Sequence, residues 1–131
     1  MPPARPHTDL QRARAALLQA ELTPRPADRY LAAHLAALRI AAVILAGRRP
    51  TGSRAARGRP RNTWELVATV APELREWAAY FAATEGKRDA VRAGASAIVS
   101  AREADDLVRD AQQLLSLVER SLAPNGHQEA Q

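Results

Sequence analysis

Apolar residues recur every three or four positions along most of the chain, which is the spacing of one face of an α-helix. This pattern predicts helices over about 9–22, 26–46, 63–93 and 100–122, and Pro72 interrupts the third of them. No stretch alternates with a period of two residues, so we expect no strands. The chain therefore predicts an all-α fold.

Residues that favour helix ends mark the boundaries of these segments. Three pairs have the spacing of a capping box, in which a short polar side chain and a Glu or Gln three residues later bond to the first backbone N–H groups: Thr8–Gln11, Asn62–Glu65 and Ser100–Glu103. Gly47 is placed for a left-handed C-cap, and Gly94 for a break before the last helix.

The second and last segments indicate how the helices pack. "RYLAAHLAALRIAAVILAG" is apolar on nearly all sides, with Arg29 and Arg39 as the polar residues of the half opposite Leu31, His34 and Leu38, so we expect a central helix buried on most sides. The last segment has one apolar face. We predict one bundle of four or five helices over residues 8–122, a basic loop at 47–61, and disordered ends at 1–7 and 123–131.

Composition excludes several classes of site. A chain of 131 residues suits a single core, and the absence of cysteine excludes disulfides, thiolate zinc sites and thiol nucleophiles. Three histidines cannot assemble a metal site without cysteine, so we expect neither a metal nor a cofactor. His34 and Arg39 interrupt the longest apolar run, and the N-terminus has no apolar core. We therefore expect a cytoplasmic protein without a membrane partner.

Positive charge is concentrated in one segment. The net charge is +5, yet Gly47–Arg61 holds six arginines and no acidic residue, which leaves the rest of the chain at −1. The six are Arg48, Arg49, Arg54, Arg57, Arg59 and Arg61. Such a segment attracts nucleic-acid phosphates, and Trp64 directly after it could stack on a base, although a hydrophobic contact at the helix start is the more common role.

The tetrapeptide Arg57-Gly58-Arg59-Pro60 within this segment fits two roles. Glycine and proline allow an extended backbone to enter a narrow A·T minor groove, where the arginines would meet a strong negative potential. The alternative is a solvated loop that attracts phosphates without reading sequence.

The sequence resembles the actinobacterial HEPN-domain proteins, a small branch of the "higher eukaryotes and prokaryotes nucleotide-binding" superfamily. The resemblance rests on "DRYLAAHLAALRIAAVILAG", "NTWELVATVAPELREWAAYFA" and "SAREADDLVRDAQQLLSLV", and covers about residues 28–118. It implies a four- or five-helix bundle that often dimerises. Many members are metal-independent RNases that act through an arginine and a histidine separated by four to six residues.

Arg29 and His34 have that spacing. The resemblance implies that His34 would act as general base or acid in attack by an RNA 2′-hydroxyl, while Arg29 would stabilise the phosphate charge. However, Tyr30 follows the arginine where the family has a polar residue, and the pair opens an early helix. Residues five apart also diverge by about 140° around a helix, which places His34 within the apolar stripe. A structural histidine in the core is the other interpretation.

Glu103, Asp106 and Asp110 share one flank of the last helix and could hold a divalent ion or dock the basic loop, but pairing with Arg102 and Arg109 is the simpler interpretation. We therefore favour a non-catalytic accessory module that binds nucleic acid, RNA before DNA, through the arginine segment. The alternatives are a metal-independent endoribonuclease using Arg29 and His34, and a protein-interaction or dimerisation bundle without nucleic-acid binding.

Overall fold

The computed structural model describes residues 5–48 and 62–122, and these residues are almost entirely helical. The α-helices are α1 (Arg5–Leu22), α2 (Pro26–Gly47), α3 (Thr63–Val70), α4 (Arg75–Ala83), α5 (Glu85–Arg92) and α6 (Ala101–Ser121). Short 3₁₀ turns lie at Pro72–Leu74 and Ser96–Ile98, and no strand occurs in the described ranges. Thr84 alone separates α4 from α5, so these two count as one interrupted helix and the described bundle has five helices. The predicted all-α bundle of four or five helices is confirmed.

α2 is the centre of the bundle. It forms a hairpin with α1 through the three residues 23–25, packs along α6 on another side, and contacts α3 and α5. The core combines small residues of α1 and α2 with larger side chains of α3, α4 and α6, such as Trp64, Phe81 and Leu107. Alanines at 13, 20, 33, 36, 37 and 41 are fully buried, which allows the backbones of α1, α2 and α6 to approach closely.

Two of the predicted helix starts are confirmed in atomic detail. The Asn62 side chain accepts a hydrogen bond from the Glu65 backbone N–H (2.8 Å) and caps α3. Ser100 and Glu103 form the reciprocal capping box of α6, with both hydrogen bonds at 3.0 Å. Pro72 ends α3 as expected, because its ring nitrogen cannot donate a hydrogen bond.

Other boundaries differ from the prediction. α1 begins at Arg5, so residues 5–7 belong to the helix, while residues 1–4 and 123–131 lie outside the described part of the chain. Gly47 is the last residue of α2, and the predicted left-handed cap is wrong: the chain leaves through Arg48 in an extended conformation (φ −133°). Among the described glycines, Gly94 alone has a positive φ (+113°), at the predicted break after α5.

By length and composition α2 could cross a membrane, since a window within Pro26–Gly47 has a mean hydropathy of 1.8. His34 and Arg39 do interrupt the run of consecutive apolar residues, but the window that contains them is still apolar enough to meet this criterion. Half of that window is buried inside the bundle, and the core helix of a soluble protein meets the same criterion, so the finding is weak evidence for a membrane. Half of this apolar helix is thus left outside the core.

Candidate nucleic-acid interface and the buried histidine

The arginine segment connects the end of α2 to the start of α3. Arg48 is the one arginine of the segment within the described residues, and Arg49, Arg54, Arg57, Arg59 and Arg61 lie outside them. Nη1 of Arg48 lies 2.5 Å from Oε2 of Glu73, with both side chains at the surface. A backbone hydrogen bond and the bond from Arg48 lower the pKa of Glu73. One of the six arginines is therefore neutralised by a carboxylate of its own chain.

Trp64 does not face the surface beside this segment. Its side chain is 1% exposed and stacks on Phe81, with ring centroids 5.0 Å apart and an interplanar angle of 21°. Within the described part of the chain, the indole N–H has no hydrogen-bond partner. The assignment of Trp64 as a base-stacking residue is therefore wrong, because the first turn of α3 directs the ring into the core. Its role is the hydrophobic one.

Arg29 is held by the structure around the α1–α2 connection. Its Nη1 donates to the backbone carbonyl oxygens of Thr23 (3.0 Å) and Pro24 (2.8 Å). Its Nε lies 3.0 Å from Oδ1 of Asp105 on α6, an ion pair without hydrogen-bond geometry. The guanidinium thus satisfies two carbonyls of the α1–α2 connection and joins that connection to α6. This is a structural role.

His34 is buried in the core of the bundle. It is 1% exposed, and neither ring nitrogen has a hydrogen-bond partner among the residues that the structure describes. Burial, followed by the nearby charge of Arg88, lowers the pKa of His34 to about 4, while Asp89 opposes this shift. A charged imidazole here would lose its hydration without gaining a partner, so the ring is neutral near pH 7. The core location matches the structural interpretation of His34.

The structure therefore does not assemble the catalytic pair implied by the resemblance. Arg29 contacts the α1–α2 connection and α6, whereas the charges nearest His34 belong to α5. A general base must reach the proton that it removes, and a side chain 1% exposed cannot reach an RNA 2′-hydroxyl in this conformation. The separation follows from the helix geometry, because the five-residue spacing directs the two side chains to different sides of α2.

The acidic flank of α6 is occupied by local partners. Glu103 pairs with Lys87 and belongs to the capping box, and Oδ1 of Asp106 lies 3.2 Å from Nη1 of Arg109. Within residues 5–48 and 62–122, no group of three or more His, Cys, Asp or Glu side chains could hold a metal ion. The ion-pairing interpretation fits these contacts.

Sequence reasoning missed a cleft of about 620 Å³ between α4 and α6. Its walls are Pro72, Glu73, Arg75, Glu76, Trp77, Tyr80 and Asp110. Partial burial, followed by the neighbouring Asp110 carboxylate, raises the pKa of Tyr80. The lining has three carboxylates and one arginine, and Arg48 pairs with one of the carboxylates, so its net charge is only slightly negative and gives no phosphate site. No signal in the sequence pairs Tyr80 with Asp110, because the two residues lie 30 positions apart.

Comparison with known families shows to which family the chain belongs. The model of the SAV_6107-like HEPN domains matches residues 20–119, from the end of α1 to the end of α6 and about three quarters of the chain. The protein belongs to the HEPN family, as the resemblance implied, whereas an actinobacterial origin stays a prediction. Neither the curated proteins nor the solved structures compared with the chain gave a match. Membership indicates a nucleotide-related or RNase-like function.

Proposed function

We propose that this HEPN domain is a non-catalytic module that binds nucleic acid, RNA in preference to DNA, through the arginine segment Gly47–Arg61. The observation that carries the proposal is the separation of charge. Six arginines lie in fifteen consecutive residues without an acidic residue, while the rest of the chain sums to −1. Phosphate contacts by arginine release condensed counterions, which gives affinity without sequence preference.

The surroundings of the segment support a surface role. It joins the C-terminus of α2 to the capped N-terminus of α3, so both attachment points are fixed by regular structure. Within the described residues, the arginine segment makes one ion pair, Arg48–Glu73, which offsets one positive charge. The other five arginines of the segment lie outside the described residues. Burial of His34 and the bonding of Arg29 to backbone carbonyls favour binding over cleavage.

The test is RNA affinity measured by fluorescence anisotropy as the salt concentration rises. We expect log K to fall linearly with log salt, and Arg57→Ala with Arg59→Ala to lower that slope by roughly 0.7 for each lost contact with a single strand. Arg102→Ala with Arg120→Ala is the control, because it removes the same charge from exposed positions on α6. No binding at low salt, or equal losses in both double variants, contradicts the proposal.

The same titration separates the two roles of Arg57-Gly58-Arg59-Pro60. If the arginines contact phosphates only, their removal weakens binding to all sequences alike. A minor-groove role predicts instead that the loss is concentrated on A·T-rich DNA duplexes. Incubation of the RNA with the protein, followed by electrophoresis, checks the absence of cleavage.

A further inference from the structure

The cleft between α4 and α6 has two aromatic rings in its wall. Trp77 lines it and is partly buried, and its ring stacks on Phe81 of the core with centroids 6.3 Å apart and an interplanar angle of 17°. Tyr80 lines the same cleft, is 39% exposed, and meets the edge of Phe81 at 5.0 Å. The core therefore holds both rings in place while they border an open volume of about 620 Å³.

Two carboxylates of the cleft have no cationic partner in the described part of the chain. These are Glu76 on α4 and Asp110 on α6, whereas Glu73, the third carboxylate of the lining, pairs with Arg48. Asp110 is partly buried and lies beside the Tyr80 hydroxyl, so it has lost part of its hydration. A positive charge next to a carboxylate in this position stabilises its ionised form.

The arrangement of charges favours an organic cation over a metal ion. Arg75 is the one basic residue of the lining, and it does not face Glu76 because side chains of adjacent residues diverge around a helix. Glu76 and Asp110 against Arg75 leave the cleft with a net charge of −1, once Glu73 is counted with Arg48. Within the described residues, no three carboxylates converge closely enough to hold a metal. An extended cation can reach carboxylates that lie apart.

We propose that this cleft binds an aliphatic diamine or polyamine, with its ammonium groups at Glu76 and Asp110 and its methylene chain on Trp77 and Tyr80. Ammonium groups donate hydrogen bonds to carboxylates, and the faces of aromatic rings attract them as well. The proposal is independent of the proposed function, since none of these contacts uses the arginine segment.

The spacing of the two carboxylates suits a short diamine. Glu76 and Tyr80 lie four residues apart on α4, or about 6 Å along the helix, and Asp110 lies beside Tyr80. Four methylene groups separate two amino nitrogens by roughly 6 Å at standard bond lengths. An uncharged apolar ligand would instead cover the two carboxylates without pairing them, which is unfavourable.

The experiment is isothermal titration calorimetry of the full chain with 1,4-diaminobutane, at low salt and without nucleic acid. We expect binding with a Kd below about 1 mM, and at least about tenfold weaker binding of butylamine, which has one ammonium group. Asp110→Asn and Glu76→Gln should each weaken diamine binding at least about threefold. The matched control is Asp28→Asn, which removes the same charge from a side chain of α2 that is more than half exposed. Circular dichroism checks that the variants are folded.

Tryptophan fluorescence tests where the diamine binds. Trp77 is partly exposed and Trp64 is 1% exposed, so binding should change the emission of Trp77, and Trp77→Leu should abolish that change. No binding at about 10 mM diamine overturns the proposal. Equal losses in Asp110→Asn and Asp28→Asn also overturn it, because the diamine then senses only the overall charge. Magnesium chloride that displaces the diamine at matched ionic strength would do the same, since the rings contribute nothing to a hydrated metal ion.

Discussion

The two longest helices, α2 and α6, pack against each other, but their outward faces differ in polarity. α6 buries one apolar face, with Leu107, Ala111 and Leu114 at most 1% exposed, and directs charged side chains outward. α2 buries nine residues and also exposes an apolar stripe centred on Leu35. The amphipathic helix α6 buries its apolar face inside the bundle, whereas α2 also has apolar side chains that no described residue covers.

The same contrast separates the charged residues of the two helices. Several carboxylates of α6 are paired within the described chain, Asp106 with Arg109 of the same helix and Asp105, Glu103 and Glu119 with residues of neighbouring helices. The charges that follow α2 are all positive, and in the described part of the chain one of them, Arg48, has a carboxylate partner. Phosphate binding in this small domain is therefore expected at the segment after α2.

The largest expected effect compares the inward and outward sides of α2. Ile40→Ala should lower the free energy of unfolding by about 2–5 kcal/mol, because Ile40 is fully buried and the change leaves a cavity. Leu35→Ala should cost less than about 1 kcal/mol. Urea denaturation measures both. Equal losses would show that the two faces of α2 do not differ as described.

The next effect is on acid stability. Folding favours the neutral form of His34, since the pKa is 6.5 in an unconstrained histidine and about 4 in the fold. Its contribution is complete above pH 6.5 and falls as the pH decreases toward 4, by up to about 3 kcal/mol. His34→Leu should remove this dependence between pH 6.5 and 5, measured by thermal unfolding in matched buffers.

The pH range separates His34 from the carboxylates. The pKa values of Glu73 and Glu103 are lowered in the fold, so their contributions are present above pH 4.5 and are lost only as the pH falls further. A loss between pH 6.5 and 5 that persists in His34→Leu would mean that another group titrates there.

A smaller effect tests the start of α6. Ser100→Ala removes the side chain that accepts from the Glu103 N–H at 3.0 Å, so we expect a loss of about 1 kcal/mol in the free energy of unfolding. Ser100→Asp retains an acceptor and should recover most of the loss. Urea denaturation of both variants measures the difference, and an unchanged Ser100→Ala would show that the cap does not stabilise α6.

The smallest effect concerns the solvated face of α6. Nε of Arg14 donates to Oε2 of Glu119 at 2.7 Å, but both side chains are a third exposed or more. Glu119→Gln should therefore change the free energy of unfolding by less than about 1 kcal/mol. A larger loss in urea denaturation would show that this face stabilises the bundle more than its exposure suggests.

Local signals predicted most of the fold. Capping residues such as Asn62 and Ser100 bond to backbone groups within three residues, so their roles follow from neighbouring positions. Pro72 was predictable for the same reason, because the missing N–H of its own ring ends α3. The cap at Gly47 was predicted wrongly because a glycine permits the left-handed conformation without requiring it, and the chain leaves α2 through an extended Arg48 instead.

The candidate site was less predictable because it depends on contacts between distant positions. Helical spacing indicated that His34 faces the core, but whether a described residue bonds to its ring depends on which residues of α5 lie beside it. The position of Trp64 next to six arginines suggested the surface, whereas Phe81, seventeen positions later, provides its stacking partner. The exposed side of α2 could not be chosen from the sequence, since both sides of that helix are apolar.

Hydrogen–deuterium exchange with and without a single-stranded RNA tests the central claim most directly. We expect RNA to slow exchange over residues 47–61 and at the adjoining end of α2, and to leave the outward face of α6 unchanged, because phosphates meet the positive segment and have no site in the cleft beside Tyr80. Slower exchange on α6 or around Tyr80, with no change in residues 47–61, would contradict the account.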